Sequence, residues 1–418
     1  MSRSKLKVEL APLRSSADFR ALYASRTITW LGTSATEVGL LVQARQLTHS
    51  ALAVGLLGAV EVVPLVIFGL YGGVLADRAD RRRLMRWCEA GLGCCALLLT
   101  LNACAPHPAV WPLYSVAAVM MSLAALQRPS LDASIPRIVA QDQLTAASAL
   151  MSGSQNISVI SGTTLGGLLA VHPGTQAVYA LDVASFVVSL MFLARLRPLP
   201  AAAQSERAPG FRAILQGLAY ARTRSDLLGS YLIDLSAMML AYPNALFPFI
   251  AASLHASWAV GLMFAAPSAG AVAVSATGGW MGHVRRHGLA IALAAAAWGL
   301  AITGFAFAPD LAAALAFLTV AGAADMTSGI FRDTLWNQTI PDSLRGRMAG
   351  VELLSYGVGP SIGQIRAGAV ASLTTPRFSL ASGGIMCVVA VGVTCQALPA
   401  LVRYRRSDPS TQSLAPGR

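Results

Sequence analysis

Glu37, Glu61, Asp234 and Asp325 each interrupt a long apolar stretch of the chain. A charge held at bilayer depth costs at least about 2.5 kcal/mol on insertion scales, so an acid retained there is a functional candidate by default. Withdrawn from water, a carboxyl has its ionised form disfavoured, and it can exchange a proton for a second ligand near ambient pH. Asp182 is a fifth acid of this kind, best read as hydrogen-bonded to a neighbouring helix, since Ser and Thr partners are plentiful. The same bland reading competes for the other four. Arg128 and Asp132 stand four residues apart and are spaced to pair on one helix face. Arg332, Asp333, Glu352 and Arg366 read equally well as structural ions.

A denser cluster lies in a short loop, Gly72-Gly73-Val74-Leu75-Ala76-Asp77-Arg78-Ala79-Asp80-Arg81-Arg82-Arg83, with five arginines between Arg78 and Arg86. Apolar runs of bilayer-spanning length flank it on both sides. The loop must therefore sit at a membrane face, and its arginines mark that face as cytoplasmic.

The elements that position these residues are membrane helices. The chain is 55% hydrophobic and 12% charged, against roughly 25% charged in soluble domains. Windows of about 20 apolar residues place spans near 21–47, 52–76, 84–104, 110–134, 143–170 and 175–196, and again near 227–251, 257–281, 288–307, 311–337, 346–370 and 378–401. The expected fold is an all-α membrane protein with twelve transmembrane helices in two six-helix pseudo-repeat bundles. Its parts are an N-terminal tail over 1–20, a first bundle over 21–196, a central linker over 197–226, a second bundle over 227–401 and a tail over 402–418. Alternate loops carry nearly all the basic residues, and Arg45 and Arg377 alone fall on the poorer side. Both termini and the linker are therefore expected in the cytoplasm, in a multi-pass protein of the inner membrane.

Net charge of +12 suggests phosphate binding, but the charges are spread among short loops and no nucleic-acid motif accompanies them. Anionic lipid headgroups are the expected partners rather than nucleic acid. The six cysteines lie in or at the ends of apolar spans without metal-ligand spacing and read as packing residues. The six histidines are scattered, with no helical pair at ligand spacing, which argues against metal hydrolysis. No phosphate-cradling loop of P-loop type is present, which excludes ATP-driven transport on this chain. The chain reads as a transporter, not an enzyme, with no cofactor and a proton gradient as its energy source.

An internal repeat orders the spans. Gly72-Gly73 corresponds to Gly278-Gly279, Ile135-Pro136 to Ile340-Pro341, and Gly162 with Gly166 to Gly359 with Gly363. The first two matches are offset by 206 and 205 residues and the third follows in the same order, which indicates two parallel six-helix halves, and the glycines allow helices to approach closely.

The charged loop resembles the signature loop of the major facilitator superfamily of secondary transporters. With Leu47-Thr48-His49-Ser50-Ala51-Leu52-Ala53-Val54-Gly55-Leu56, Arg128-Pro129, Ile135-Pro136-Arg137 and Pro341-Asp342-Ser343-Leu344-Arg345-Gly346-Arg347-Met348, the chain is similar to the enterobactin-exporter-like, or transmembrane secretion effector, branch. The resemblance implies alternating access around a central cavity lined by spans one, four, seven and ten, commonly driven by proton antiport. It favours Glu37, Asp234 and Asp325 as cavity-facing, with Glu61 mid-span in two. It also places Asp77 beside the start of span eleven, near 347–351, where a helix dipole favours an anion. Gly73, Asp77, Arg78, Arg81, Arg82 and Asp132 are then the expected cytoplasmic latch, with Asp132 the preferred carboxylate partner of the arginines. Two departures stand out: Asp80 occupies a position where many members carry Gly, and Gly162-Thr163-Thr164-Leu165-Gly166-Gly167 lacks the proline usual in antiporters.

The expected function is export of a small amphipathic molecule, such as a siderophore, an antibiotic or another secondary metabolite, by a monomer. Proton-linked uptake and a non-transporting membrane sensor are the alternatives. Acidic, apolar spans with few basic groups favour cationic or neutral lipophilic cargo.

Overall fold

The computed structural model describes residues 10–78, 80–199, 218–341, 344, 348 and 357–404. Twelve long helices run through them. They are α1 Ala17–Thr48, α2 Ala51–Arg78, α3 Arg81–Cys104, α4 Trp111–Asp132, α5 Leu144–Leu169 and α6 Thr175–Ala194. The second set is α7 Ser225–Ala241, α8 Val260–Thr277, α9 His287–Ala306, α10 Leu311–Thr339, α11 Gly359–Leu373 and α12 Pro376–Ala397.

Local chemistry sets several boundaries. Ser16, Asp80, Asp310 and Thr375 each accept a hydrogen bond from a backbone N–H three residues on, satisfying an orphan donor at the starts of α1, α3, α10 and α12. His49 closes α1 in the left-handed conformation, φ 53°, where Asn, Asp and His are tolerated better than bulky residues. Span seven, expected continuous over 227–251, is broken. α7 stops at Ala241, and Tyr242-Pro243 leads through Asn244–Leu246 into a short helix, Phe247–Ser253. Pro243 forfeits a backbone donor and disfavours helix at Tyr242 before it. The side chain of Arg366, on α11, donates to the Leu240 carbonyl that the break frees.

Among the described residues, eight runs of helix are long and apolar enough to cross a membrane by length and composition. α1 and α4 fall short of that measure for a physical reason. α1 carries Asp18, Arg20, Arg26, Glu37 and Arg45, and α4 carries Arg128 and Asp132.

The repeat is visible in the packing. In the first half α1 packs on α5 and α6, α2 on α4, and α3 on α4 and α6; in the second half α7 packs on α11 and α12, α8 on α10, and α9 on α10 and α12. The glycine register repeats too. A Cβ at Gly162 would strike Leu31 and one at Gly166 would strike Ala35, while Cβ atoms at Gly359 and Gly363 would meet Met238 and Tyr242. Leu31 and Met238 are 207 residues apart, as are Ala35 and Tyr242.

The halves meet along two seams, α2 on α11 and α5 on α8. Among the described residues, both seams have close contacts at the face opposite the termini. Gly167 lies backbone to backbone with Gly261, and Gly55 lies against Gln364 and Gly368. Any side chain at these positions would push the helices apart, so small residues set the approach. The Arg45 guanidinium also spans the halves there, 5.3 Å from the ring centroid of Phe249. The far face is closed.

Candidate functional site

A cavity of about 630 Å³ occupies the terminal side of this closure. Its wall comes from α1, α2, α4 and α5, with Gln364 of α11 entering from the other half. Arg26, Trp30, Thr33, Glu37 and Leu40 recur every three or four residues on α1, which is the spacing of one helix face. Met121, Ala124, Arg128 and Leu131 form the matching stripe on α4, with Ile135 just beyond its end.

Three of the four expected carboxylates converge. Glu37 and Glu61 both line the cavity and feel each other's charge. Asp325, from α10, joins them through a common neighbour, for the Tyr242 hydroxyl lies within electrostatic reach of Glu37, Asp325 and Glu61. The Asn244 side-chain amide donates to that hydroxyl at 2.9 Å, holding the ring at the helix break. Acids from both halves therefore address one tyrosine.

Asp234 does not belong to this group. It is ion-paired with Arg332 of α10, and the two residues are 3% and 2% exposed in the core of the second half. Its charge is compensated by a counter-ion within the second half rather than by the cavity acids. Asp182 is likewise structural, accepting from Thr36 at 2.7 Å and from Ser185 at 3.1 Å.

The charged loop departs from expectation in a definite way. Arg82 donates to the carbonyls of Leu193 and Ala194, the latter at 2.6 Å, at the C-terminal end of α6. Arg81 donates to the Ala133 carbonyl at 2.8 Å, just past the end of α4. The arginines thus meet helix C-termini, where orphan carbonyls and the dipole favour a cation, rather than the carboxylate of Asp132. That acid faces Arg128 and Arg26 across the cavity wall instead. Asp80 explains its own departure from glycine, since its side chain accepts from the Arg83 N–H at 3.0 Å and caps α3. Gly73, Asp77 and Arg78 lie in the last turns of α2, but their side chains and residues 345–347 and 349–356 lie outside the described residues, and so does the latch between them.

Two features escape the sequence reading. Glu89 of α3 is 0% exposed and accepts hydrogen bonds from Thr29 at 2.6 Å, from Gln127 at 2.8 Å and from Ser189. Ser189 is in turn bonded to Ser25 at 2.6 Å. The signal was Glu89 itself, about two turns into a span and hidden by proximity to the arginine loop. The second is basic charge: Arg26 and Arg128 both line the cavity, which removes the ground for preferring cationic or neutral cargo. Aromatic rings in the spans could stack on a substrate; of these, Trp30 lines the cavity and Tyr242 lies within electrostatic reach of its acids. Tyr231 and Trp336 stack on each other in the core at 4.6 Å, and Phe247 is buried against Phe264 and Phe305. Tyr356 lies outside the described residues.

Comparison with known proteins agrees with this architecture. The chain is 27% identical over 410 residues to the enterobactin exporter EntS of Salmonella typhimurium, covering 98% of this chain and 99% of that protein. It is 27% identical over 417 residues to EntS of Citrobacter koseri, covering 100% of each. Among solved structures, the peptide transporter POT in complex with sulfate superposes with a TM-score of 0.74 at 12% identity, over 94% of this chain and 96% of that one. The nucleoside transporter NupG superposes with a TM-score of 0.69 at 15% identity, over 92% and 99%. At these identities the two structures speak for the fold. The family model for the transmembrane secretion effectors matches residues 7–413, and the chain belongs to that family of major facilitator transporters.

Proposed function

We propose that this protein exports a small amphipathic molecule, such as a siderophore, an antibiotic or another secondary metabolite, by alternating access coupled to inward movement of protons. The observation that carries the reading is the meeting of Glu37 and Glu61 from one half with Asp325 from the other around Tyr242, beside a cavity that holds a small molecule. Acids on both sides of the dividing seam change their surroundings whenever the halves rock. A proton bound in one state is then released in the other. Relatives along the full length are named as enterobactin exporters, which supports the outward direction. The energy source is the proton gradient, with no cofactor.

In this reading both termini lie in the cytoplasm of an inner-membrane monomer whose loop arginines meet anionic headgroups, and the described conformation is open toward the cytoplasm. Asp77 and the start of α11 close that side in the opposite state.

The test is substrate-dependent proton movement in proteoliposomes with an internal pH dye, under an imposed gradient, across siderophores, cationic dyes and antibiotics. A proton signal that appears only with a given compound identifies cargo and coupling together. Cargo movement indifferent to the gradient would remove the antiport reading and leave export by another driving force.

A further inference from the structure

The cavity has a basic end as well as an acidic one. Arg26 and Arg128 enter it from α1 and α4, and no described residue accepts a hydrogen bond from either guanidinium. The Arg26 guanidinium carbon lies 4.9 Å from the centroid of the Trp30 ring, a cation–π contact that engages none of its N–H donors. Behind it Glu89 supplies a counter-charge. That carboxylate is fully buried and its oxygens are taken by Thr29, Gln127 and Ser189, so it neutralises Arg26 without occupying its donors. Asp132 is the one acid lining this end, against two cations. The arrangement keeps two forks of N–H donors charged, oriented and unfilled beside an aromatic ring.

From Arg26 to Glu37 is eleven residues on one helix, about 16 Å at 1.5 Å per residue. A guanidinium fork matches a planar oxyanion such as a carboxylate with two parallel hydrogen bonds, which an ammonium does not. We infer that Arg26 and Arg128 form an oxyanion-binding subsite, with Trp30 as its apolar wall, and that the cargo is an amphiphile carrying a carboxylate-like group on an aromatic or apolar body. This assignment deepens the export reading and rests on it for the identity of the ligand as cargo. The acidic end, some 16 Å away by the same rise, is left to the proton.

The experiment uses the full chain in phosphatidylcholine nanodiscs with two probes of one shape, 1-pyrenebutyrate and its neutral amide. Binding is read by energy transfer from tryptophan, with partition into empty nanodiscs subtracted. The carboxylate should bind about tenfold more tightly than the amide, the scale of one charge-assisted hydrogen-bonded pair. Arg128→Gln and Arg26→Gln should each erase most of that preference, weakening the carboxylate far more than the amide. Arg26→Lys, which keeps the charge and loses the fork, should retain part of it. Arg128 makes no hydrogen bond to a described residue, so its variant is the safer fold control, checked by melting in detergent. Equal binding of the two probes to the wild type, no binding of the carboxylate, or a preference that survives the double Gln variant would each overturn the subsite. The same probes in proteoliposomes separate the two readings. A carboxylate preference in binding with no transport of either probe tells against export, whereas transport with no charge preference tells against the subsite alone.

Discussion

Asp234 and Arg332 form an ion pair between α7 and α10 in the core of the second half, with almost no exposure of either residue. Removing one partner leaves the other charge uncompensated, which costs about 3 to 5 kcal/mol. Asp234→Ala should therefore lower the melting temperature in detergent markedly. Replacing both residues with apolar ones should recover much of the loss. If the single variant melts like the wild type, the pair carries no packing role.

Glu37 and Asp325 call for the opposite outcome. Glu37→Gln and Asp325→Asn should leave melting near the wild-type value and abolish the response of transport to an imposed pH gradient, while exchange of cargo across the membrane at equal pH continues. The measurement is gradient-driven transport beside equal-pH counterflow in the same proteoliposomes. Unaltered gradient dependence in both variants would shift the coupling role elsewhere.

Glu89 holds a buried network together. In Glu89→Ala one N–H of Gln127 and the Ser189 hydroxyl lose this acceptor, at about 1 to 3 kcal/mol for each donor left unsatisfied, while Thr29 keeps the Ser25 carbonyl at 3.0 Å and Gln127 that of Met85 at 3.2 Å. We expect a melting loss comparable to that of Asp234→Ala, together with weaker binding at the Arg26 end of the cavity. Thermal unfolding and ligand titration on one preparation test both. Melting unchanged from the wild type would show that the donors find other partners.

The far-face closure rests on backbone contact at Gly167 and Gly261. Gly167→Val should wedge α5 from α8 and bias the protein away from the closed far face. Spin labels at Ser50→Cys and Ser257→Cys in a cysteine-free background report it. The distance distribution should lengthen in the valine variant. A distribution identical to that of the parent would mean the seam yields elsewhere.

In the charged loop, two acids three residues apart should behave differently. Asp80→Ala removes the N-cap of α3 and should cost about 1 kcal/mol of stability with transport retained. Asp77→Asn should leave expression and insertion intact and reduce transport, because the proposed latch no longer holds the cytoplasmic side shut. Full transport by Asp77→Asn would dispose of the latch.

Much of the architecture was legible because hydropathy and positive charge act locally. The spans, the charged loop and the repeat all follow from residues near one another in the chain. The pairing of Asp234 with Arg332 was not legible, since 98 positions separate them and only the packing of α7 near α10 brings them together. Asp132 was expected to take the loop arginines on charge alone. Geometry gave Arg81 and Arg82 to carbonyls at helix ends, a class of partner that composition does not display. The cavity stripe on α1, Arg26, Trp30, Thr33 and Glu37, does stand in the sequence at helical spacing.

Apart from Gln364 of α11, the cavity wall among the described residues comes from the first half, whereas the second half supplies Asp325 and Tyr242 at its acidic end. The residues that meet cargo are thereby concentrated in one stretch of the gene product, while the proposed coupling acids are divided between two, Glu37 and Glu61 in the first half and Asp325 in the second. Evolution can retune what is carried by altering the first 200 residues or so without disturbing the acid on α10. A chimera joining this first half to the second half of a relative should inherit this protein's cargo, with a response to pH set by both parents.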